Sequence, residues 1–213
     1  MIPTSGDRRL RRSGPWAGVL RYWWPVAVLA TVTGFLQLGG PGFRQHLAYA
    51  RAAWLEGEPW RLFTAHLVHL GWAHWALNVA ALAVIWAGFG RQLLRPCLAL
   101  VLGGAAVGVG LGLAWLSPAV GGYVGLSGVL HGLFAAAGVW TLSQRMLLGV
   151  VLLSGLGVKL GAEQMLGAAP ASQALVGAPV IVDAHLYGAA AGALVAAACA
   201  LGSRRPRPIG PSG

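Results

Sequence analysis

The sequence contains very little charge: only 9% of its 213 residues are charged, and only 5 of these are acidic. In soluble domains roughly a quarter of all residues are charged, so a soluble enzyme is not expected. Disorder is excluded too, because it requires low hydrophobicity, whereas 57% of this chain is apolar. The 2 cysteines are too few for a disulfide framework. These shortages favour a protein that crosses a membrane several times.

The chain instead has long apolar runs that contain many of its 33 glycines. A hydrocarbon layer of ~30 Å needs about 20 apolar residues per helix. Six windows reach or approach this length, namely 22–38, 72–89, 96–116, 126–142, 146–166 and 181–201. The sequence therefore predicts an all-α membrane protein with a bundle of six transmembrane helices. The first run could instead be a cleaved signal peptide, although no convincing small-residue cleavage pattern follows it.

The basic residues indicate the orientation of this bundle. They precede the first span, join the second to the third and the fourth to the fifth, and follow the sixth: Arg8, Arg9, Arg11, Arg12, Arg21, Arg91, Arg95, Arg145, Arg204, Arg205 and Arg207. With six crossings these segments lie on one side, which the positive-inside tendency makes the cytosol, together with both termini. We expect a basic cytosolic segment at 1–21, a helical core at 22–201 and a disordered basic tail at 202–213. Nucleic-acid binding is not expected, because no basic amphipathic face is present.

The segment 40–65, on the opposite side, is too long for a simple turn. Phe43, Leu47, Ala50 and Trp54 recur in it at helical spacing. This predicts a short helix lying in the membrane interface, and an ordinary extracytoplasmic loop is the alternative.

Polar groups inside predicted spans are costly and indicate function. They are His74 and Asn78 in the second span, Ser127 and His131 in the fourth, Lys159 and Glu163 in the fifth, and Asp183 and His185 in the sixth. The predicted topology puts His74, Asn78, Ser127 and His185 at similar depth near the outer side. Such convergence predicts a catalytic site in a cavity open to that side. We expect Lys159 and Glu163, four residues apart, to pair with each other.

These residue types suit nucleophilic catalysis. A serine hydroxyl needs a base to take its proton, and neutral histidine is suited to this near pH 7. The Asn78 amide, the His74 ring and the backbone N–H of Ser127 at a helix start can donate to an oxyanion. Two motifs with glycines four residues apart, Gly128/Gly132 and Gly188/Gly192, predict close packing of the fourth and sixth helices. That packing would bring the serine within hydrogen-bond reach of His185.

Taken together, four motifs resemble the rhomboid intramembrane serine proteases in order and spacing. They are Trp60-Arg61, His69-xxxx-His74-xxx-Asn78, Gly125-Leu126-Ser127-Gly128 and His185-xx-Gly188-xxx-Gly192, and the resemblance covers roughly 40–201. It implies a catalytic Ser127–His185 dyad without an acidic third member, acting without metal or cofactor. It also implies an oxyanion hole formed by His74, Asn78 and the main chain at Leu126 and Ser127. Supporting roles are implied for His69, His131, Gly125, Gly128, Gly188 and Gly192.

Within that superfamily, two runs look like rhombosortase: His66-Leu-Val-His69-Leu, and Gly-Leu-Ser-Gly-Val-Leu-His-Gly starting at Gly125. This implies membrane-embedded substrates whose C-terminal sorting tails contain Gly-Gly, one span and a basic end. It also implies a bacterial inner (plasma) membrane, with the active site opening to the periplasmic side. We expect the uncharged segment 167–180 to move to admit such a substrate.

The chain also departs from the usual rhomboid pattern. His66 lies three residues before His69, where many rhomboids have a longer spacing. His131 stands where many carry a tyrosine under the catalytic imidazole, so it could stack there or compete as the base.

Two other functions remain open at this point. One is a rhomboid-like protein that binds membrane clients without cutting them. The other is a metal transporter or metalloprotease that uses His66, His69 and His74 with Glu56 or Glu58, although the His-Glu-x-x-His pattern is absent.

Overall fold

The computed structural model describes residues 15–94 and 96–202, and this part of the chain is mainly helical. The elements are α1 (Pro15–Leu38), α2 (Gly40–Leu47), β1 (Tyr49–Ala50), α3 (Arg51–Leu55), α4 (Arg61–Thr64), a 3₁₀ turn (Ala65–Leu67), α5 (Trp72–Leu93), α6 (Leu98–Trp115), β2 (Gly122–Tyr123), α7 (Ser127–Leu142), α8 (Met146–Leu166), α9 (Pro170–Val176) and α10 (Val182–Gly202). The predicted arginine cluster at 8–12, Arg95 and the tail arginines lie outside the described residues. Helix α1 begins at Pro15, inside the segment 1–21 that was predicted to precede the core.

Five of the six predicted spans are helices long and apolar enough to cross a membrane: α1 over Gly18–Leu38, α5, α6, α8 and α10. The remaining one, α7, has only 16 residues and falls short of a full crossing. At 1.5 Å per residue it is about 24 Å long. Because 11 of its 16 residues are buried, α7 is the central helix of the bundle, largely enclosed by its neighbours.

Glycines allow α7 and α10 to pack backbone to backbone. A Cβ on Gly188 would lie 2.0 Å from the carbonyl oxygen of Gly128, and one on Gly192 would lie 2.3 Å from that of Gly132. No side chain fits at such distances, so only glycine permits this approach. The close packing predicted from the two glycine motifs is therefore present, and it brings the first turns of both helices together.

Helix α1 is joined to α5 by hydrogen bonds between aromatic side chains and the backbone. The Tyr22 hydroxyl donates to the Trp86 carbonyl at 2.7 Å, and the Trp86 indole N–H donates to the Tyr22 carbonyl at 2.8 Å. A third bond runs from the Trp75 indole N–H to the Thr33 hydroxyl at 3.0 Å. These bonds satisfy polar groups in an otherwise apolar interface and fix the position of α5.

The segment after α1 is not the single helix that its periodicity predicted. It forms two short helices, α2 and α3, separated by β1, which pairs antiparallel with β2 so that Tyr49 lies opposite Tyr123. The predicted short helix is present as α2, but the helical stripe does not continue through Ala50, because β2, distant in sequence, supplies backbone partners to the extended residues of β1. Both tyrosines are buried, so the strand pair fastens this segment to the chain just before α7.

The side chain of Arg61 stabilises the segment between α1 and α5 by bonding to several of its residues. Its buried guanidinium forms an ion pair with Glu58 and donates to the carbonyl oxygens of Gln45 at 2.6 Å and Ala48 at 2.8 Å. A buried charge requires such partners to offset its lost hydration. The predicted Trp60-Arg61 motif thus lies in the segment between the first two long helices, where Arg61 gives it a fixed shape.

Candidate active site

Gly125 sets the backbone immediately before α7. Its φ of +116° belongs to the region that favours glycine, and a Cβ would lie 2.6 Å from Cε1 of His74. Its N–H donates to the Ala65 carbonyl at 2.9 Å. The chain therefore enters α7 by one tight, well-anchored turn that places Ser127 as its first helical residue.

Tyr123 supports this turn and was not identified from the sequence. Its buried hydroxyl donates to the Gly125 carbonyl at 2.7 Å and accepts the Gly128 N–H at 3.3 Å, so it bridges the residues on both sides of Ser127. Burial raises the pKa of Tyr123 to about 12, so the hydroxyl stays protonated at neutral pH. The only sequence signal for this role was the aromatic side chain four residues before the serine.

His185 lies directly opposite Ser127. Its Nε2 is 3.1 Å from the serine Oγ, although the two residues are 58 positions apart in the chain. His185 is buried, and its imidazole projects from the first turns of α10. The structure therefore brings together the two residues that the sequence predicted as nucleophile and base.

His131 stacks on the imidazole of His185, as one of the two sequence-based alternatives proposed. The ring centroids are 4.1 Å apart and the planes are inclined by 15°. The Nδ1 atom of His131 lies 2.8 Å from the Ser127 carbonyl, so this nitrogen faces the backbone of the serine and not its hydroxyl. The geometry favours packing under His185 over competition as a base.

A carboxylate completes the row of polar groups. Oε2 of Glu163 lies 3.0 Å from Nδ1 of His185, and Oε1 lies 2.6 Å from the Lys159 ammonium. The predicted pairing of Lys159 with Glu163 is confirmed. The resemblance implied a dyad without an acidic third member, and the structure places a carboxylate in contact with the histidine of that dyad. Spacing within α8 revealed the ion pair, whereas the contact with His185 depends on how α8 packs against α7 and α10.

The predicted oxyanion donors His74 and Asn78 each line a cavity that Ser127 also lines. Nδ1 of His74 accepts the Leu70 N–H at 3.4 Å, which leaves the ring hydrogen on Nε2, and this nitrogen lies beside Gly125. The Asn78 amide donates one hydrogen to the His74 carbonyl at 3.0 Å and retains a second. Backbone N–H groups in the first turn of α7 have no partner within that helix. This region thus holds side-chain and backbone donors on the same side of the bundle as the serine.

Two cavities meet at Ser127. One, of about 410 Å³, is lined by Tyr49, His69, His74 and the residues that follow α9. The other, of about 380 Å³, lies between α5, α7 and α8, with Asn78 among its lining residues. The segment 167–180, predicted as a loop, contains the short helix α9, and its end forms a wall of the first cavity. The serine is therefore reachable both from the loop end of the bundle and from between the helices.

His66 and His69 lie outside the reacting groups and are buried. Burial lowers the pKa of His69 to about 3, with the neighbouring His74 contributing, and lowers that of His66 to about 4. The His69 ring packs edge-on against His74, with centroids 5.1 Å apart, and Nε2 of His66 lies 3.2 Å from the Ala106 carbonyl. Both are neutral at pH 7; His69 packs against His74, and His66 is anchored at the Ala106 carbonyl of α6.

A metal centre requires three or more donor atoms that lie close enough together to hold one ion. Within the described residues, only the donor atoms of His131, Glu163 and His185 lie within 4.8 Å of one another. The alternative set of His66, His69 and His74 with Glu56 or Glu58 does not assemble there. In the former group Lys159 already neutralises the carboxylate and Ser127 engages His185, so the donors have partners without a metal ion.

The sequence profile of the rhomboid domain matches residues 56–201, which is more than half of the chain and spans α4 to α10. The chain belongs to the rhomboid family. Members of this family are generally serine intramembrane proteases. No curated protein gives a match to the chain. The matched range of this rhomboid contains Ser127, His185 and Glu163, together with the predicted oxyanion donors.

Proposed function

We propose that this rhomboid is an active intramembrane serine protease with Ser127 as its nucleophile and His185 as its base. The observation that carries the proposal is the 3.1 Å contact between Oγ and Nε2, formed by two helices that glycines hold together. Such a contact lets the imidazole take the hydroxyl proton as the oxygen attacks. A family member that only binds clients would have no need of it.

In the proposed reaction, Oγ of Ser127 bonds to a peptide carbonyl carbon while its proton passes to Nε2 of His185. The resulting oxyanion is stabilised by the side chains of His74 and Asn78 and by N–H groups at Leu126 and Ser127. The C–N bond then breaks and the histidine returns the proton to the leaving amine. Water attacks the remaining acyl ester and restores the serine hydroxyl.

The proposed substrates are other membrane proteins that carry a C-terminal sorting tail with Gly-Gly, one span and a basic end. Support for this tail class comes from the rhombosortase-like runs around His66 and Ser127. The cavity between α5, α7 and α8 has mostly apolar walls, which suits lateral entry of a membrane segment. No nucleic acid is involved.

For the topology, we propose that α7 is a sixth, enclosed crossing and that both termini lie in the cytosol of a bacterium, with the site opening to the periplasmic side of its inner membrane. In this arrangement 22–201 forms the protease core between two basic terminal segments. The distribution of arginines supports this orientation.

The test uses the full chain in liposomes, a fluorophosphonate probe and a tail substrate with one Gly-Gly pair. We expect the wild type to be labelled and to cut the tail, and Ser127→Ala to do neither. Ser143→Ala is the matched control, because Ser143 follows the opposite end of α7 and its hydroxyl donates to the nearby Trp140 carbonyl at 2.9 Å, away from the site. Changing Gly-Gly to Val-Val in the tail tests the substrate class.

The outcomes separate the alternatives. Binding of the tail by a wild type that neither reacts with the probe nor cuts would support the client-binding function and contradict the protease. Loss of cleavage with a chelator, together with full activity of Ser127→Ala, would support a metalloprotease. Equal cleavage of the Gly-Gly and Val-Val tails would contradict the sorting-tail class while leaving the serine protease intact.

A further inference from the structure

Glu163 stands between a cation and the proposed catalytic base. Its carboxylate is bound on one oxygen by Lys159 at 2.6 Å and on the other by Nδ1 of His185 at 3.0 Å. Only 14% of the Glu163 side chain is exposed, so water competes weakly for these bonds. A continuous row of hydrogen-bonded side chains from three helices therefore ends at the hydroxyl of Ser127; it runs through Lys159, Glu163 and His185.

We propose that Glu163 is a positioning residue for His185, so that this rhomboid works with a serine–histidine–glutamate triad. The inference rests on the proposed function, because it assigns a role in the reaction of Ser127. It differs from the dyad that the family resemblance implied. It also accounts for the second contact of the Glu163 carboxylate, with His185 on α10, which pairing with Lys159 within α8 does not explain.

The role follows from the two nitrogens of the imidazole. A carboxylate only accepts hydrogen bonds, so Nδ1 of His185 must carry a hydrogen and donate it to Glu163. The other nitrogen, Nε2, is then left with a free lone pair toward the hydroxyl of Ser127. When Nε2 takes the serine proton, the ring becomes a positively charged imidazolium. The negative carboxylate of Glu163, 3.0 Å from Nδ1, then stabilises that positive charge.

Packing fixes the ring in the remaining directions. His131 covers one face of His185 at a centroid distance of 4.1 Å, and the in-plane orientation is set by Ser127 on one nitrogen and Glu163 on the other. Lys159 keeps the carboxylate in place from the opposite side and balances its charge. Without Glu163, the ring could rotate about its Cβ–Cγ bond or take the tautomer with hydrogen on Nε2, and neither arrangement accepts the serine proton.

The experiment compares wild type with Glu163→Gln, which keeps the shape but loses the charge, and Glu163→Asp, which keeps the charge on a shorter side chain. We expect Gln to lower kcat for tail cleavage by about 10² to 10⁴-fold with KM nearly unchanged. The rate of labelling by a small fluorophosphonate should fall in parallel, because that reaction reports nucleophile activation without substrate docking. Asp should recover part of both rates.

Glu56→Gln is the matched control, since it makes the same chemical change at an exposed residue outside the site and should leave both rates unchanged. Melting temperatures in detergent identify variants that do not fold. If Glu163→Gln does not fold, Glu163→Ala replaces it as the variant without a carboxylate, and a wild-type labelling rate in folded Glu163→Ala overturns the inference.

Wild-type kcat and labelling for a folded Glu163→Gln would overturn the triad and leave the serine protease standing. A rise in KM alone, with labelling unchanged, would also overturn it, because that pattern assigns Glu163 to substrate contact. Failure of the wild type itself to react or cut contradicts the proposed function and is therefore distinguishable from both results.

Discussion

The imidazole of His131 lies almost parallel to that of His185, with 4.1 Å between the ring centroids and 15° between the planes. Its Nδ1 faces the Ser127 carbonyl at 2.8 Å, which holds the ring in this orientation. The contact therefore supplies a flat surface under the proposed base. A tyrosine ring at this position can provide a similar surface.

Replacing His131 separates stacking from proton transfer. We expect His131→Phe to keep most of the cleavage activity, because a phenyl ring retains the stacked surface. His131→Ala should lower kcat by about fivefold, consistent with about 1 kcal/mol for a lost aromatic pair. Steady-state cleavage by the two variants provides the measurement. A phenylalanine variant as weak as the alanine variant would contradict the packing role.

The contact between α7 and α10 depends on Gly188. We expect Gly188→Ala to lower the melting temperature in detergent, because its Cβ would lie 2.0 Å from the Gly128 carbonyl oxygen and overpacking costs about 1–3 kcal/mol. Cleavage should fall as well, since the two helices carry the proposed nucleophile and base. Gly157→Ala on α8 is the control, because a Cβ there meets nothing within 4 Å and alanine favours helices. Equal melting temperatures for the two variants would contradict this account of the packing.

Tyr123→Phe tests the turn before α7. Loss of the hydroxyl that bridges Gly125 and Gly128 should cost about 1 kcal/mol of stability and displace the serine, lowering kcat by about tenfold. Tyr22→Phe removes a comparable bond to the Trp86 carbonyl, far along the chain from the serine. It should lower the melting temperature by a similar amount and leave kcat unchanged. Similar kcat values in the two variants would show that the bridge does not position Ser127.

His66 makes stability depend on pH. Its pKa of about 4 in the folded chain lies below the ordinary value of 6.5, so the unfolded state binds a proton first as the pH falls. The folded state therefore loses stability from about pH 6.5 down to about pH 4, by up to about 3 kcal/mol from this residue. Melting temperatures between pH 7 and pH 4.5 should fall less steeply in His66→Gln than in the wild type. Parallel pH profiles would exclude His66 as a source of this acid sensitivity.

Some features of this molecule could be predicted from the sequence because they depend on local spacing. The length of an apolar run is set by the thickness of the bilayer, so five long helices were found close to their predicted positions. Residues four apart share a helix face, which identified the Lys159–Glu163 pair and the glycine motifs of α7 and α10. Such relationships do not require knowledge of how the helices are arranged.

Other features depended on contacts between elements that are distant in the chain. The residues of β1 are extended and not helical because their backbone groups pair with β2. The same pairing places Tyr123 beside the turn before α7, where its hydroxyl bonds to Gly125. Glu163 reached His185 because of the rotation of α8 about its axis. Periodicity identifies a helix face but not the neighbour that it meets, since that choice is made by the packing of all the side chains between the helices. The amino-acid order thus established the membrane class and the reactive residue types, while three-dimensional packing added the carboxylate to the serine and histidine.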